Sequence, residues 1–282
     1  MRPGTVTCDT VAQRARVGTG AVCGQGASED AAATVMPASL WHMDQSTDAN
    51  AAIWKSQEVV ESWTATTGDR DRKRAAHWRI MGELLPFAEQ DAFTFLDLGA
   101  GTGAAARGIL GLYPQSTAIL ADFSPQMMGE GMREMQPFEG RFQYVEFDMS
   151  SSTWPVTIPT PLEAVVTSMS IHHLPDHRKA GLFAEIFERL APGAWYVNYD
   201  PVTSLDPVVE ATWERLNDHE DPEAAHKRLH RTPQEQSRYE NHVRYLIPLE
   251  EQLGFLRSAG FQGVDVYWKH LENVIYAGRR PA

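Results

Sequence analysis

Three carboxylates, a glycine turn and a pair of histidines are the residues whose types and spacing can do chemistry. In FTFLDLGAGTGAAA, residues 93–106, Asp97 stands two residues before the first glycine of a G-x-G-x-x-A turn at 99–104. A glycine turn between a strand and a helix admits a nucleotide, because glycine lets the backbone approach the ligand closely. A carboxylate beside it repels a pyrophosphate and attracts an ammonium, so the ligand that fits joins a nucleoside to an amino-acid ammonium. Asp122, in AILADFSPQMM, follows Gly99 by 23 residues, where a carboxylate can accept hydrogen bonds from both hydroxyls of a ribose. Asp148, in VEFDMSS, is the third; taken alone, it also suits a turn-initiating aspartate.

The histidines are His172 and His173, in TSMSIHHLPD. Imidazole titrates near neutrality, so either ring can act as a general base, with His172 the first candidate. Adjacent residues cannot easily chelate one ion and no third ligand is indicated, so no metal is expected. Asp200, in YVNYDP, can orient an amine or hydroxyl, or form a turn before Pro201.

The elements that must position these groups follow from periodicity. From Phe93 onward, short apolar runs alternate with amphipathic stretches. FTFLDLG, STAILADFS, FQYVEFDM, LEAVVTSMS and AWYVNYDPV read as strands, with helices between them. Strand–helix alternation predicts a parallel, doubly wound α/β sheet. VDVYWKH and NVIYAGRR are two last strands, too close for a parallel crossover and therefore antiparallel. Ahead of the first strand, DANAAIWKSQEVVESW and DRDRKRAAHWRIMGELLPF carry helical patterns, the second stopped by Pro86. DHRKAGLFAEIFERLAPG reads as a helix running to its Pro-Gly. Residues 201–245 break the rhythm and are read as a helical insertion punctuated by Pro207, Pro222 and Pro233. The expected organisation is a disordered extension over 1–40, a helical lid over 41–90, and a main domain over 91–282 that includes the insertion.

Composition sets the outer limits. The 282 residues, 43% hydrophobic, suffice for one large α/β domain. A net charge of −12 argues against nucleic acid or anionic membrane as partner, since both recruit clustered Lys and Arg. The two cysteines, Cys8 and Cys23, give no disulfide framework or metal spacing and fit a reducing cytoplasm. No apolar run approaches the ~18 residues that span a bilayer, and the N-terminal residues lack the apolar region of a signal peptide. A small-molecule partner and a monomer or homodimer are expected.

LDLGAGTG resembles the first motif of class I S-adenosylmethionine-dependent methyltransferases, and the element order resembles that family from Phe93 to Arg280. The resemblance implies a Rossmann-like seven-stranded sheet, S-adenosyl-L-methionine as cofactor, and methyl transfer to a small molecule by in-line displacement. It implies that Asp97, Gly99, Ala100, Gly101 and Gly103 hold the methionine part and ribose. FSPQMM is similar to the family's D-x-S-x-x-M pattern, implying that Asp122 holds the ribose and that Phe123 and Met127 flank the adenine. Asp148 would accept from the adenine amino group and Met149 would offer a backbone N–H. Strand C-termini face the crevice in a doubly wound sheet, so Ser168 to His173 are expected to border the reacting centre. Paired histidines at this place in the family often only shape the pocket or cap a helix. Trp54, Trp63 and Trp78 lie where the family folds a lid over its cofactor, and tryptophans there also pack helices onto the core. The insertion is where the family varies its acceptor: Arg231, Arg238, His242, Arg244 and Tyr245 could grip one, or form a solvated face. One arginine pointing into the crevice would indicate an anionic acceptor.

Three other readings remain open. LRSAGF and VYWKH are also similar to enzymes that make carboxy-S-adenosylmethionine for tRNA wobble uridine modification; those carry a cysteine or serine variant of the glycine loop, absent here. The glycine turn with Asp122 is shared with NAD-dependent oxidoreductases, against which Asp97 and the closing strand pair argue. A non-catalytic S-adenosylmethionine-binding subunit is the last.

Overall fold

The computed structural model describes residues 52–65 and 67–282. The extension expected over 1–40 lies outside them, as does the start of the 41–90 segment. The strands are β1 (Thr94–Leu98), β2 (Thr117–Asp122), β3 (Phe142–Glu146), β4 (Leu162–Ser168), β5 (Leu190–Pro201), β6 (Gln262–His270) and β7 (Asn273–Arg279). They form one seven-stranded sheet in the order β3-β2-β1-β4-β5-β7-β6. The first five are parallel, and β7 runs antiparallel to both β5 and β6. This is the doubly wound sheet with an antiparallel C-terminal pair that strand spacing predicts.

The chain order reverses between β1 and β4, so their C-terminal ends open a crevice at the switch point. Helices cover both faces, and β1 is therefore buried on both sides. Phe95 joins a core with Trp78, Ile109 and Val166, while Leu96 and Leu98 join one with Phe183, Tyr196 and Leu256. Asp97 is the single charged residue in this strand.

The helices are α1 (Gln57–Thr64), α2 (Thr67–Glu83), α3 (Ala104–Leu112), α4 (Pro125–Glu134), α5 (Asp176–Arg189), α6 (Pro207–Glu220), α7 (Pro222–Leu229), α8 (Pro233–Val243) and α9 (Leu249–Ala259). The three prolines of the insertion are helix starts. Each follows a capping residue, Asp206, Asp221 or Thr232, whose side chain accepts an N–H of the first turn. No side chain of α6 or α7 is buried. Among the described residues no helix is long and apolar enough to cross a membrane.

Two boundaries differ from expectation. The single helical pattern over 48–63 is broken: Ser56 is extended (φ −82°, ψ 121°) and begins α1, so Trp54 and Trp63 sit on separate pieces and meet edge to face, 5.9 Å apart. The helix expected to reach Pro192-Gly193 ends at Arg189, because Leu190 already pairs with Leu162 across β4 and β5.

A polar network ties the buried sheet together. Thr167 donates to Asn198 Oδ1 (2.5 Å), Asn198 donates to the Tyr276 hydroxyl (2.7 Å), and Tyr276 donates to Gln252 Oε1 (2.5 Å). It links β4, β5, β7 and α9 through four uncharged side chains. On the opposite face, the Tyr113 hydroxyl donates to the Gly82 carbonyl at 2.9 Å and Trp78 lies against Gly108, so α2 is packed onto α3.

Gly103 is fixed by both backbone and space. Its φ is 78°, and a Cβ would sit 2.7 Å from Met135 Sδ and 2.8 Å from Leu120 Cδ2. Gly103→Ala is expected to destabilise the fold by at least about 1–2 kcal/mol from the left-handed backbone, with the steric clash added. A urea midpoint equal to that of the unmodified chain would contradict this.

Candidate active site

The crevice at the strand ends measures about 1130 Å³ including its open mouth. Ten of the residues expected to bind the cofactor line it: Asp97, Gly99, Ala100, Gly101, Asp122, Phe123, Met127, Asp148, Met149 and Ser168. Gly103 does not; it serves the packing described above.

Asp97 is 1% exposed. Its Oδ2 accepts the Ala106 N–H (3.1 Å), while Oδ1 is buried with no hydrogen-bond partner. Burial raises its pKa to about 7, with nearby Asp122 pushing the same way and the Ala106 N–H and Arg107 opposing. Such a carboxylate lacks a cation, and an arriving ammonium would supply it. Asp122 secures the loop from beneath, since its two oxygens accept the N–H groups of Gly101 (2.7 Å) and Ser124 (2.9 Å). Burial raises its pKa despite these bonds. Gly99 (φ 73°) leaves the floor open: a Cβ there would lie 2.6 Å from Met149 Cε and from the Ser170 side chain. Asp148 is exposed and accepts the Ser150 N–H at 2.8 Å, so it does initiate a turn while lining the crevice. Arg178 holds that turn, donating to the carbonyls of Met149 (2.8 Å) and Ser151 (3.0 Å) and pairing with Glu185.

Trp54, Trp63 and Trp78 form the opposite wall together with Asp71 and Arg74 of α2. Ser124 Oγ donates to the Trp54 carbonyl at 2.6 Å, fastening this wall to the start of α4. Asp71 pairs with Arg107, which also donates to the Thr102 carbonyl (2.7 Å).

The histidines divide into two roles. His173 lines the crevice, with its Nδ1 buried and unpartnered. His172 is 1% exposed and stands behind it, outside the crevice wall. Asp200 accepts the His172 backbone N–H (2.8 Å) and lies 2.6 Å from its Nδ1. His172 Nε2 lies 3.1 Å from His242 Nδ1. Burial holds His172 well below the ordinary histidine range, helped by His242, Lys179 and Arg74, and raises Asp200 to about 7. A neutral His172 donating Nδ1–H to Asp200 must accept at Nε2 from His242, which makes Asp200–His172–His242 a chain of fixed direction. Burial also lowers His173 and His242.

The sequence expectation therefore needs revision at several positions. His172 and Asp200 are buried behind the wall and support it. His242 touches His172 rather than the crevice, and brings one ring nitrogen of each of the three histidines within 4.8 Å of the others, so a third imidazole does exist. Arg238 is exposed on α8, away from the crevice. Tyr245 is not at the wall either; its carbonyl accepts from buried Lys179. Met169 lines the crevice as expected of the stretch Ser168 to His173, whereas Asp71 and Arg74 are wall residues that the sequence did not single out. Met169 adopts φ 55° and donates its N–H to the Tyr199 carbonyl (2.8 Å), a left-handed backbone that a methionine codon does not advertise. Arg74 lies in a stretch of six charged or basic-rich positions, DRDRKR, in which nothing singles it out.

Residues 95–193 match the family model of a methyltransferase domain. Human N-acetylserotonin methyltransferase, solved in complex with S-adenosylmethionine, superposes with a TM-score of 0.55 at 16% identity, over 83% of this chain and 59% of that one. An O-methyltransferase family protein from Burkholderia thailandensis gives 0.60 at 13% identity, over 83% and 63%. An O-methyltransferase family 2 protein from Planctomyces limnophilus, in complex with apigenin, gives 0.56 at 16%, over 79% and 61%. The chain thus spans about three fifths of the length of these structures, and the likeness is one of fold. No curated protein matches the sequence. The fold is that of the class I methyltransferases. The segment bearing the glycine loop, 95–193, matches a methyltransferase domain.

Asp200→Leu orphans two donors of His172 in a buried site and is expected to cost about 1–3 kcal/mol for each. Asp200→Asn, which can still accept one bond, should cost less. Equal urea midpoints for Asp200→Leu and the unmodified chain would contradict the buried-acceptor role.

Proposed function

We propose that the protein binds S-adenosyl-L-methionine and transfers its methyl group to a small-molecule acceptor. The observation that carries this reading is Asp97: a buried carboxylate with one bare oxygen, at the wall of a glycine-floored crevice. It suits an ammonium and opposes the pyrophosphate of NAD. When bound, the cofactor supplies a methyl group on a positively charged sulfur.

The chain's own residues bind and align. Asp97 takes the methionine ammonium. Gly99 and Gly101 let the backbone approach, and each Asp122 oxygen retains a lone pair for a ribose hydroxyl. Phe123 and Met127 flank the adenine, Met149 lies beside it, and Asp148 accepts from its amino group. Ser168, at the end of β4, borders the methionine end. In-line displacement needs the nucleophile aligned and water excluded, and a base only where the nucleophile carries a proton. His173 is the histidine on the crevice wall, so it takes that proton. Asp200 and His242 fix His172, against whose ring His173 lies, with centroids 4.0 Å apart. Trp54 and Trp63 close the acceptor side.

Incubation with methyl-labelled cofactor and a metabolite extract, followed by mass identification of the labelled product, tests the activity. A chain that shows no calorimetric affinity for S-adenosylmethionine overturns the reading.

The ammonium assignment predicts a pH dependence. Asp97 must be ionised to hold the cation, and its pKa in the empty site is raised to about 7. Below that value binding releases a proton, so affinity should rise by about tenfold per pH unit up to pH 7 and level off above it. Asp97→Asn should lose that slope in calorimetry. An identical slope in the variant assigns the titration elsewhere.

A further inference from the structure

We infer that the methyl acceptor is an anion, a planar molecule bearing a carboxylate, and that Arg74 holds that carboxylate. This rests on the crevice being the methyl-transfer site proposed above.

Arg74 is half-buried on α2 and lines the crevice. Its neighbour on the wall, Asp71, is committed to Arg107. Among the described residues no carboxylate forms an ion pair with Arg74. A guanidinium withdrawn from water without a counter-charge is costly, and its planar fork is matched by a carboxylate.

The cofactor brings a carboxylate of its own, but that group falls at the wrong end. The ammonium and carboxylate of an amino acid share one carbon, so an ammonium on Asp97 keeps its carboxylate beside Asp97. One turn on from Arg74, His77 stacks on Tyr199 (4.8 Å) and Trp78 meets it edge to face (5.7 Å), which puts this part of α2 at the end of β5. Asp200, the next residue of β5, holds His172, and the His173 ring lies 4.0 Å from that of His172, so an anion on Arg74 lies on the side of His173. The ring system follows from the wall: Trp54 and Trp63 line the same crevice and offer flat apolar surface there.

The test is calorimetry on the full chain saturated with S-adenosylhomocysteine, titrated with benzoate and naphthalene-2-carboxylate and, separately, with their primary amides. The acids are expected to bind about tenfold more tightly than the amides, or better, the increment of a charge-assisted hydrogen bond. Arg74→Met should erase that preference and leave S-adenosylhomocysteine affinity within about twofold, while Arg74→Lys should keep part of it. Equal binding of acid and amide, or no binding of either, overturns the inference, and the unmodified chain decides this even where a variant fails to fold. An Arg74→Met chain that loses S-adenosylhomocysteine affinity and keeps the acid preference assigns Arg74 to the cofactor's carboxylate. Failure of the unmodified chain to bind S-adenosylhomocysteine at all refutes the proposed function itself, whereas binding without acid preference refutes only the acceptor class.

Discussion

A carboxylate at the end of the central strand of a parallel sheet has no water to turn to on either face. That constraint governs Asp97 and, through it, the crevice. The sheet covers its flanks, α3 supplies only the Ala106 N–H, and one oxygen is left bare. The glycine loop passes above it and is held in place by Asp122 through Gly101. The two acids are thus buried near one another, and Asp122 adds to the burial that raises Asp97 to about 7. Among the described residues no cation pairs with either acid, which is the ground of the proposed ammonium site.

The same reasoning explains what could be read from the chain and what could not. Asp97, Asp122 and Asp148 are legible because each ends an apolar strand, and an acid at the end of a buried run is conspicuous. The glycines are legible because they lie between a strand and a helix. The seven strands and the antiparallel sense of the last pair are legible from spacing, since two residues between β6 and β7 forbid a crossover, whereas the order of the strands in the sheet is not. Arg74 was invisible for the opposite reason: a single arginine among many charged residues, it reaches the crevice only because α2 packs on α3. His242 lies 70 residues from its partner His172, and no local pattern joins them. The direction of the histidine pair was also hidden. Adjacent residues closing a short 3₁₀ turn, Ile171–His173, face different ways, and only the turn's geometry shows which of them meets the crevice.

The insertion illustrates how local signals can be read correctly without revealing contacts. Its prolines and caps specify α6, α7 and α8 in turn, yet α6 and α7 bury no side chain. Their formation rests on capping and local ion pairs, such as Arg228 with Glu214 and Asp218. The segment is anchored at its end by His242 on His172 and by the Tyr245 carbonyl on Lys179, and at α6 by Asn217, which donates to both Glu272 oxygens, and by Trp213 beneath Lys269.

Ser124 has a consequence for how such a molecule can diverge. Its one hydroxyl accepts the Met127 N–H at the head of α4 and donates to the Trp54 carbonyl. The wall over the crevice is therefore fastened to the floor by a main-chain bond that reads no side chain at position 54. Any residue there keeps the fastening, so drift can repaint the surface of that wall while its placement stays fixed. α6 is held in the opposite way, by side chains: Asn217 on Glu272 and Trp213 beneath Lys269 fasten it to the β6–β7 turn. One fold thereby holds two kinds of wall, one whose placement ignores its texture and one whose placement depends on a few polar side chains.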